Sequence, residues 1–181
     1  RFLGPSSTTV NLNLGTTNYY QMSFAGSNVV YNLGGGTVNV TNTLTLDDTS
    51  SNIGDINNGT VNAYGNLVFS GYGKEGTAVL NVVGTSSVTV TDSTNARNFG
   101  TTWQVSKTGG ATVTLAAAAN LSTAGQGINV TSGTILMSGF SLTTAGTITL
   151  NSNTITKGGG VLTGNSVVQG TGSILGGTVN P

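Results

Sequence analysis

The 181-residue chain has no cysteine, no histidine, and only five basic and five acidic side chains. Each shortage removes a class of chemistry. Without Cys there is no disulfide framework and no thiolate nucleophile. Without His as well, the usual nucleophile–base pairs are missing. Charged residues make up 6% of the chain, against about 25% in an ordinary globular protein, so Lys and Glu cannot solvate the surface. The five bases, Arg1, Lys74, Arg97, Lys107 and Lys157, are scattered. They form no stripe that would neutralise phosphates, and a nucleic-acid partner is not expected. No apolar run approaches the roughly 20 residues that cross a bilayer as a helix. There is no secretory leader pattern, and a chain beginning at Arg1 reads as a mature product or an excised piece. Proline occurs only at Pro5 and Pro181, which leaves the interior free of residues that break a β ladder.

Thr, Asn and Gly take the place of charge. Thr and Asn together are roughly 30% of the residues, far above ordinary usage. The aliphatic residues are mainly Val, Leu and Ile, enough for a core. Val, Ile and Thr are β-branched and suit a pleated surface better than a helix. Gly and Asn serve turns. The fold class is therefore all-β.

An imperfect repeat organises the chain. Gly, then Thr, then an alternating strand recurs at Gly36-Thr37-Val38-Asn39-Val40, Gly59-Thr60-Val61-Asn62-Ala63, Gly76-Thr77-Ala78-Val79-Leu80, Gly133-Thr134-Ile135-Leu136-Met137, Gly146-Thr147-Ile148-Thr149-Leu150 and Gly177-Thr178-Val179-Asn180-Pro181. Separations of this size point to a solenoid whose coils differ in length. Apolar residues two apart, as in Val38/Val40, Leu44/Leu46, Val88/Val90 and Ile148/Leu150, put one set inside and the other outside. No helix is expected. Ala116–Ala119 reads as a strand and corner where small side chains let coils pack closely. At roughly 18–20 residues per coil the chain gives about nine coils and about 40 Å of axis. One parallel β-solenoid spans 1–181, with an aromatic-rich segment (1–35), decorated coils (36–107) and plain repetitive coils (108–181).

Candidate chemistry is sparse. Asp47, Asp48 and Asp55 with Asn52 offer oxygen ligands of the kind calcium takes, although no calcium-loop motif surrounds them and an Asp/Asn turn fits the same residues. The same acids with Arg97 are what a polysaccharide-active enzyme would need on a concave face. Thr-x-Thr at Thr43/Thr45, Thr89/Thr91, Thr112/Thr114, Thr147/Thr149 and Thr154/Thr156 resembles an ice-binding array, but the pairs are unevenly spaced. Among the aromatics, Tyr72 and Trp103 are candidate glycan contacts, since aromatic faces stack on sugars.

The two ends carry the most information. Thr9-Val10-Asn11-Leu12-Asn13-Leu14 is a clean alternating strand, and repeat-like sequence runs through Ser173-Ile174-Leu175 and Thr178-Val179 with no charged cap. Open strand edges are templates for pairing. Val10, Leu12 and Leu14 at one end and Ile174, Leu175 and Val179 at the other are the expected interface of a head-to-tail homopolymer.

The Gly-Thr coils, above all Gly170-Thr171-Gly172-Ser173-Ile174-Leu175-Gly176-Gly177-Thr178-Val179-Asn180-Pro181, resemble bacterial autotransporter-type and related secreted β-helix repeats over about the last 150 residues. The resemblance implies a right-handed β-helix, export to the cell surface and a role in adhesion or matrix, without the β-barrel translocator such proteins carry. The expected function is a non-enzymatic structural subunit of an extracellular filament, fibre or sheath, with no cofactor. A surface adhesin binding glycans is the alternative.

Overall fold

The computed structural model describes residues 2–3, 8–12, 14–48, 54–71, 75–92, 102–121, 125–168, 170–176 and 178–180. It is an all-β solenoid of parallel strands, with no helix among the described residues. The chain winds through three faces in a fixed order, here A, B and C. Face A stacks 16–19, 37–40, Thr60–Ala63, Val79–Gly84, Thr102–Lys107, Ile128–Ser132, Thr147–Thr149 and Ser166–Val168. Face B begins with Phe2–Leu3 and runs through 21–25, 43–48, Asn66–Gly71, Val88–Asp92, Thr112–Leu115, Thr134–Leu136 and Thr154–Thr156 to Ser173–Leu175. Face C holds Thr9–Asn11, Val30–Asn32 and Ile56–Asn57, then an Asp55–Glu75 bridge. Higher up it holds Ala119–Leu121, Leu142–Thr144, Val161–Thr163 and Thr178–Asn180. Two long strands, Thr16–Ala25 and Thr37–Asp48, bend around the A–B corner and join faces A and B into one sheet.

From Thr16 to Ser166 the chain makes about seven turns, roughly 34 Å of axis at the strand spacing. The expectation of about nine coils over the whole chain agrees with the nine strands stacked on face B from Phe2–Leu3 to Ser173–Leu175, but Gly-Thr does not mark one coil each. Thr37, Thr60 and Thr147 open strands on face A, Thr134 opens one on face B, and Thr178 opens one on face C. The motif marks corners, of which a coil has three. The true coil is longer and shortens upward: the step is 25 residues from Trp103 to Ile128 and 17 from Leu162 to Val179.

Sterics explain the corner glycine. A Cβ on Gly36 would sit 1.6 Å from the Leu14 carbonyl oxygen one rung below, and one on Gly146 would sit 2.2 Å from that of Gln126. Both obstacles are backbone, so neither can step aside. Gly36→Ala is expected to destabilise the fold by about 3 kcal/mol, read as a lower urea midpoint at unchanged slope. A loss below about 0.5 kcal/mol would mean the corner is not packed this way.

Inside, period-two alternation builds axial columns of like side chains. On face A, Val38, Val61, Leu80, Trp103, Ile128 and Ile148 form one column. On face B, Met22, Leu44, Leu67, Val90 and Leu115 form another. All are buried. Phe24 and Tyr31 fill the lowest coils edge to face at 5.1 Å, and the Tyr31 hydroxyl donates to the Ala25 carbonyl. The expected turn in the alanine run is present: Ala116–Ala118 bend between faces B and C, and Ala119 starts the next strand.

Outside, neutral polar columns replace charge. Asn39 Nδ2 donates to Asn18 Oδ1 at 2.7 Å, and Asn62 Nδ2 to Asn39 Oδ1 at 2.8 Å. On face C, Asn32 donates to Asn11 at 3.1 Å. Such amide ladders let one outward side chain satisfy the next without charge, but the face A ladder stops at Asn62, since Asn62 Oδ1 and the next column member's Asn81 Oδ1 accept no hydrogen bond.

Candidate functional site

The first and last described rungs lack a strand on one side. The lower rung is Phe2–Leu3 on face B, Thr9–Asn11 on face C and 16–19 on face A. The upper rung is Ser166–Val168, Ser173–Leu175 and Thr178–Asn180. None of these has a strand neighbour on its outer edge among the described residues. Val10, Leu12, Leu14 and Tyr19 below, and Val167 and Ile174 above, are only partly buried yet pack on the core. Their column mates one rung inward, such as Tyr31, Val40, Ile148 and Ile155, are at most 1% exposed. Among the described residues, the apolar columns of the first and last rungs are thus covered on one side only. Apart from Arg1, no charged residue lies before Asp47, and none lies after Lys157, so the described strands of the first and last rungs carry no charged side chain.

The six residues named for the interface do not all point the same way. Val10, Leu12, Leu14 and Ile174 pack on the core from the end rungs, and Val179 continues the inward Leu142–Leu162 column half-buried. Leu175 differs. It follows Thr156 in an outward column and is 53% exposed, because period two puts it on the opposite side of the strand from Ile174. It flanks the end and does not stack in the core.

Trp103 cannot be a glycan contact. It is 0% exposed, between Leu80 and Ile128 in the face A column, and no sugar can reach its ring. Tyr72 lies outside the described residues. Among the described residues the exposed large aromatics are Tyr20, Tyr64 and Phe140. They belong to different coils, so they form no continuous platform.

The three aspartates do not meet either. Asp48 points inward at the B–C corner and is fully buried. Its carboxylate accepts N–H bonds from Gly54 at 2.8 Å and Asn28 at 3.2 Å. Donors aimed at the carboxylate hold it as a corner tie and would repel a cation. Asp47 faces outward on face B, while Asp55 lies on face C beside Glu75. Among the described residues no three acidic side chains converge. The Asp/Asn turn reading is the better one for Asp48. Asn52 and Arg97 lie outside the described residues. Four of the five Thr-x-Thr pairs fall on face B and the fifth, Thr147/Thr149, on face A. The face B column Thr89–Thr114 is then interrupted by Leu136.

Sequence reasoning missed two buried lysines. Lys107 ends the inward-facing series Trp103, Val105, Lys107 and is 1% exposed. Its Nζ donates to the Val83 carbonyl at 2.5 Å and the Tyr64 carbonyl at 3.4 Å, so one side chain ties three successive coils at the A–B corner. Burial holds its pKa at about 8. Lys157 is 3% exposed and follows the inward Ile155 on face B. No helix among the described residues is long and apolar enough to cross a membrane. No protein-family model, curated protein or solved structure matches the chain.

Proposed function

We propose that this chain is a non-enzymatic structural subunit of an extracellular filament, fibre or sheath, lengthened by β-strand addition between the lower rung of one copy and the upper rung of another. The observation that carries this reading is the first and last described rungs: their strands have no outer neighbour among the described residues, and they frame half-buried apolar sections made by Val10, Leu12, Leu14, Tyr19, Val167 and Ile174. Strand addition satisfies the edges and buries the sections in one step. A contact between two different ends is heterologous and does not close on itself, so it propagates into a filament. The amide ladders on the flanks suit such a body, since they keep the sides solvated without adding charge that would oppose assembly.

The test is direct. The purified chain, concentrated at neutral pH, is expected to give filaments one solenoid wide by negative-stain electron microscopy and a sedimenting fraction that grows with concentration. A protein that stays monomeric at millimolar concentration across pH and salt would overturn the reading.

A further inference from the structure

The A–B corner changes as the chain climbs. Tyr19 pairs with Val40 and Gln21 with Thr43, so Tyr20 stands against Thr41 and Asn42. Val40 pairs with Ala63 and Thr43 with Asn66, so those two stand against Tyr64 and Gly65. One coil further on, Thr85-Ser86-Ser87 loop out between Val79–Gly84 and Val88–Asp92. The wider turn leaves an open groove of about 590 Å³, lined by Asn42, Tyr64, Asn66, Thr85, Ser86 and Ser87 among others. That volume falls in the range of small-molecule sites, about 300–1,000 Å³. The groove is held in shape from several sides. Tyr64 N–H donates to the Val40 carbonyl at 2.9 Å, and Lys107 reaches down from the coil above to the Val83 and Tyr64 carbonyls. The Tyr64 ring rests against Gly84, where a Cβ would come within 3.1 Å of its Cδ1 and where φ is +94°, so a side chain there would push the ring away. Asn66 Oδ1 accepts the Thr89 N–H at 2.9 Å, and Ser87 Oγ accepts the Thr112 N–H at 3.1 Å. Both side chains are thereby fixed, with the Asn66 NH2 and the Ser87 hydroxyl hydrogen left to donate.

We propose that this corner groove binds an uncharged, extended oligosaccharide, with Tyr64 as the ring on which a sugar stacks. The chemistry of the lining selects the ligand. A pyranose offers an apolar C–H face and a rim of hydroxyls. The exposed Tyr64 ring suits the first, and the amides and hydroxyls of Asn42, Asn66, Thr85, Ser86 and Ser87 suit the second. No charged side chain lines the groove among the described residues. Lys107 is buried and its Nζ is spent on two carbonyls, so an acidic sugar would gain no ion pair there. The same corner offers a second ring. Tyr20 is exposed and lies two rungs below Tyr64, about 10 Å along the axis, with Thr41 and Asn42 between. The two rings are separate, and their spacing is the length of a disaccharide unit in an extended β-linked chain. Alternate sugars of such a chain present the same face, so one could stack on each tyrosine while the sugar between them meets Thr41 and Asn42. The site lies on the flank of the solenoid and is independent of end-to-end assembly.

The test is isothermal titration of the full chain with cellohexaose, mannohexaose and chitohexaose, and with hexagalacturonate as the acidic counterpart. At least one neutral hexasaccharide is expected to bind saturably, and hexagalacturonate is not. Tyr64→Ala should weaken that binding about tenfold, the worth of one stacked ring, while Tyr64→Phe keeps the ring and should restore it. Tyr20→Ala should weaken the same hexasaccharide by a smaller factor. A urea midpoint measured on each variant separates lost binding from lost fold. Amide chemical shifts of the unsubstituted chain give a readout that needs no substitution: on titration with the bound hexasaccharide, the movements should centre on 41–42, 64–66 and 85–87. Failure of all three neutral sugars to bind overturns the proposal. Binding that Tyr64→Ala leaves unchanged, or shifts that centre elsewhere, overturns the site. Preference for hexagalacturonate overturns the uncharged class of ligand. Each of these results leaves the filament reading where it stood, since that reading is decided by microscopy and sedimentation without any sugar.

Discussion

Trp103→Ala is expected to cost about 4 kcal/mol, the largest loss of any single side-chain truncation in this chain. Trp103 leads the fully buried side chains in volume and is 0% exposed. Its indole spans the core between Leu80 below and Ile128 above, and removing it leaves a cavity that stiff β-branched neighbours cannot close. A solenoid makes the damage spread in one direction. Each coil touches only the coils above and below, so stability is close to a sum of nearest-neighbour terms. A gap at Trp103 weakens the link between the lower coils and those from Ile128 upward. Urea unfolding of the variant should therefore show a lower midpoint and a broader or split transition, with the slope reduced because the two halves no longer unfold together. Unchanged stability with lost sugar binding would restore Trp103 to the surface and overturn its burial.

Much of this architecture was legible because period two is a strong signal in short strands. Val38, Val40, Leu44, Leu46, Val88, Val90, Ile148 and Leu150, assigned inward by alternation, are all buried. Which face each Gly-Thr strand occupies was not legible, since a corner glycine before a β-branched strand looks the same on every face. What distinguishes Gly36 from Gly133 is the backbone it meets: the Leu14 carbonyl in one case, the Lys107 Cβ with φ at +90° in the other. Those neighbours lie more than 20 residues away and leave no local trace. Trp103 was misplaced for a different reason. An indole suits both a core and a sugar-binding face, but the series Trp103-Gln104-Val105-Ser106-Lys107 has the same parity as the other strands. Reading that parity through to its end puts Trp103 inward, and forces Lys107 inward with it. Local sequence does not show the partners a buried lysine needs, here the carbonyls of Tyr64 and Val83 in the two coils below. The end rungs were legible as strands, yet which face each occupied came only from the register.

Lys107 should also make stability depend on pH in an unusual direction. A free lysine holds its proton to about pH 10.5, and burial in the corner lowers that value to about 8. Between these values the unfolded chain carries the proton and the folded chain does not. Unfolded protein binding more protons means that stability rises with pH. The contribution is flat below about pH 8, where both states are charged, rises through the window from about 8 to 10.5, and is flat again above it. The expected gain is on the order of 1 kcal/mol, because the two carbonyl bonds at 2.5 and 3.4 Å favour the ammonium and offset part of the burial penalty. Tyrosines also titrate near the top of this range, so the measurement is a difference. Unfolding free energies of the parent chain and of Lys107→Met are compared at pH 7.5, 8.5 and 9.5. The parent should gain relative to the variant as pH rises, since methionine fills the same corner without a proton to lose. A difference that stays constant across the three pH values, or shrinks, would show that the corner carbonyls fully offset the burial and that Lys107 stays charged throughout.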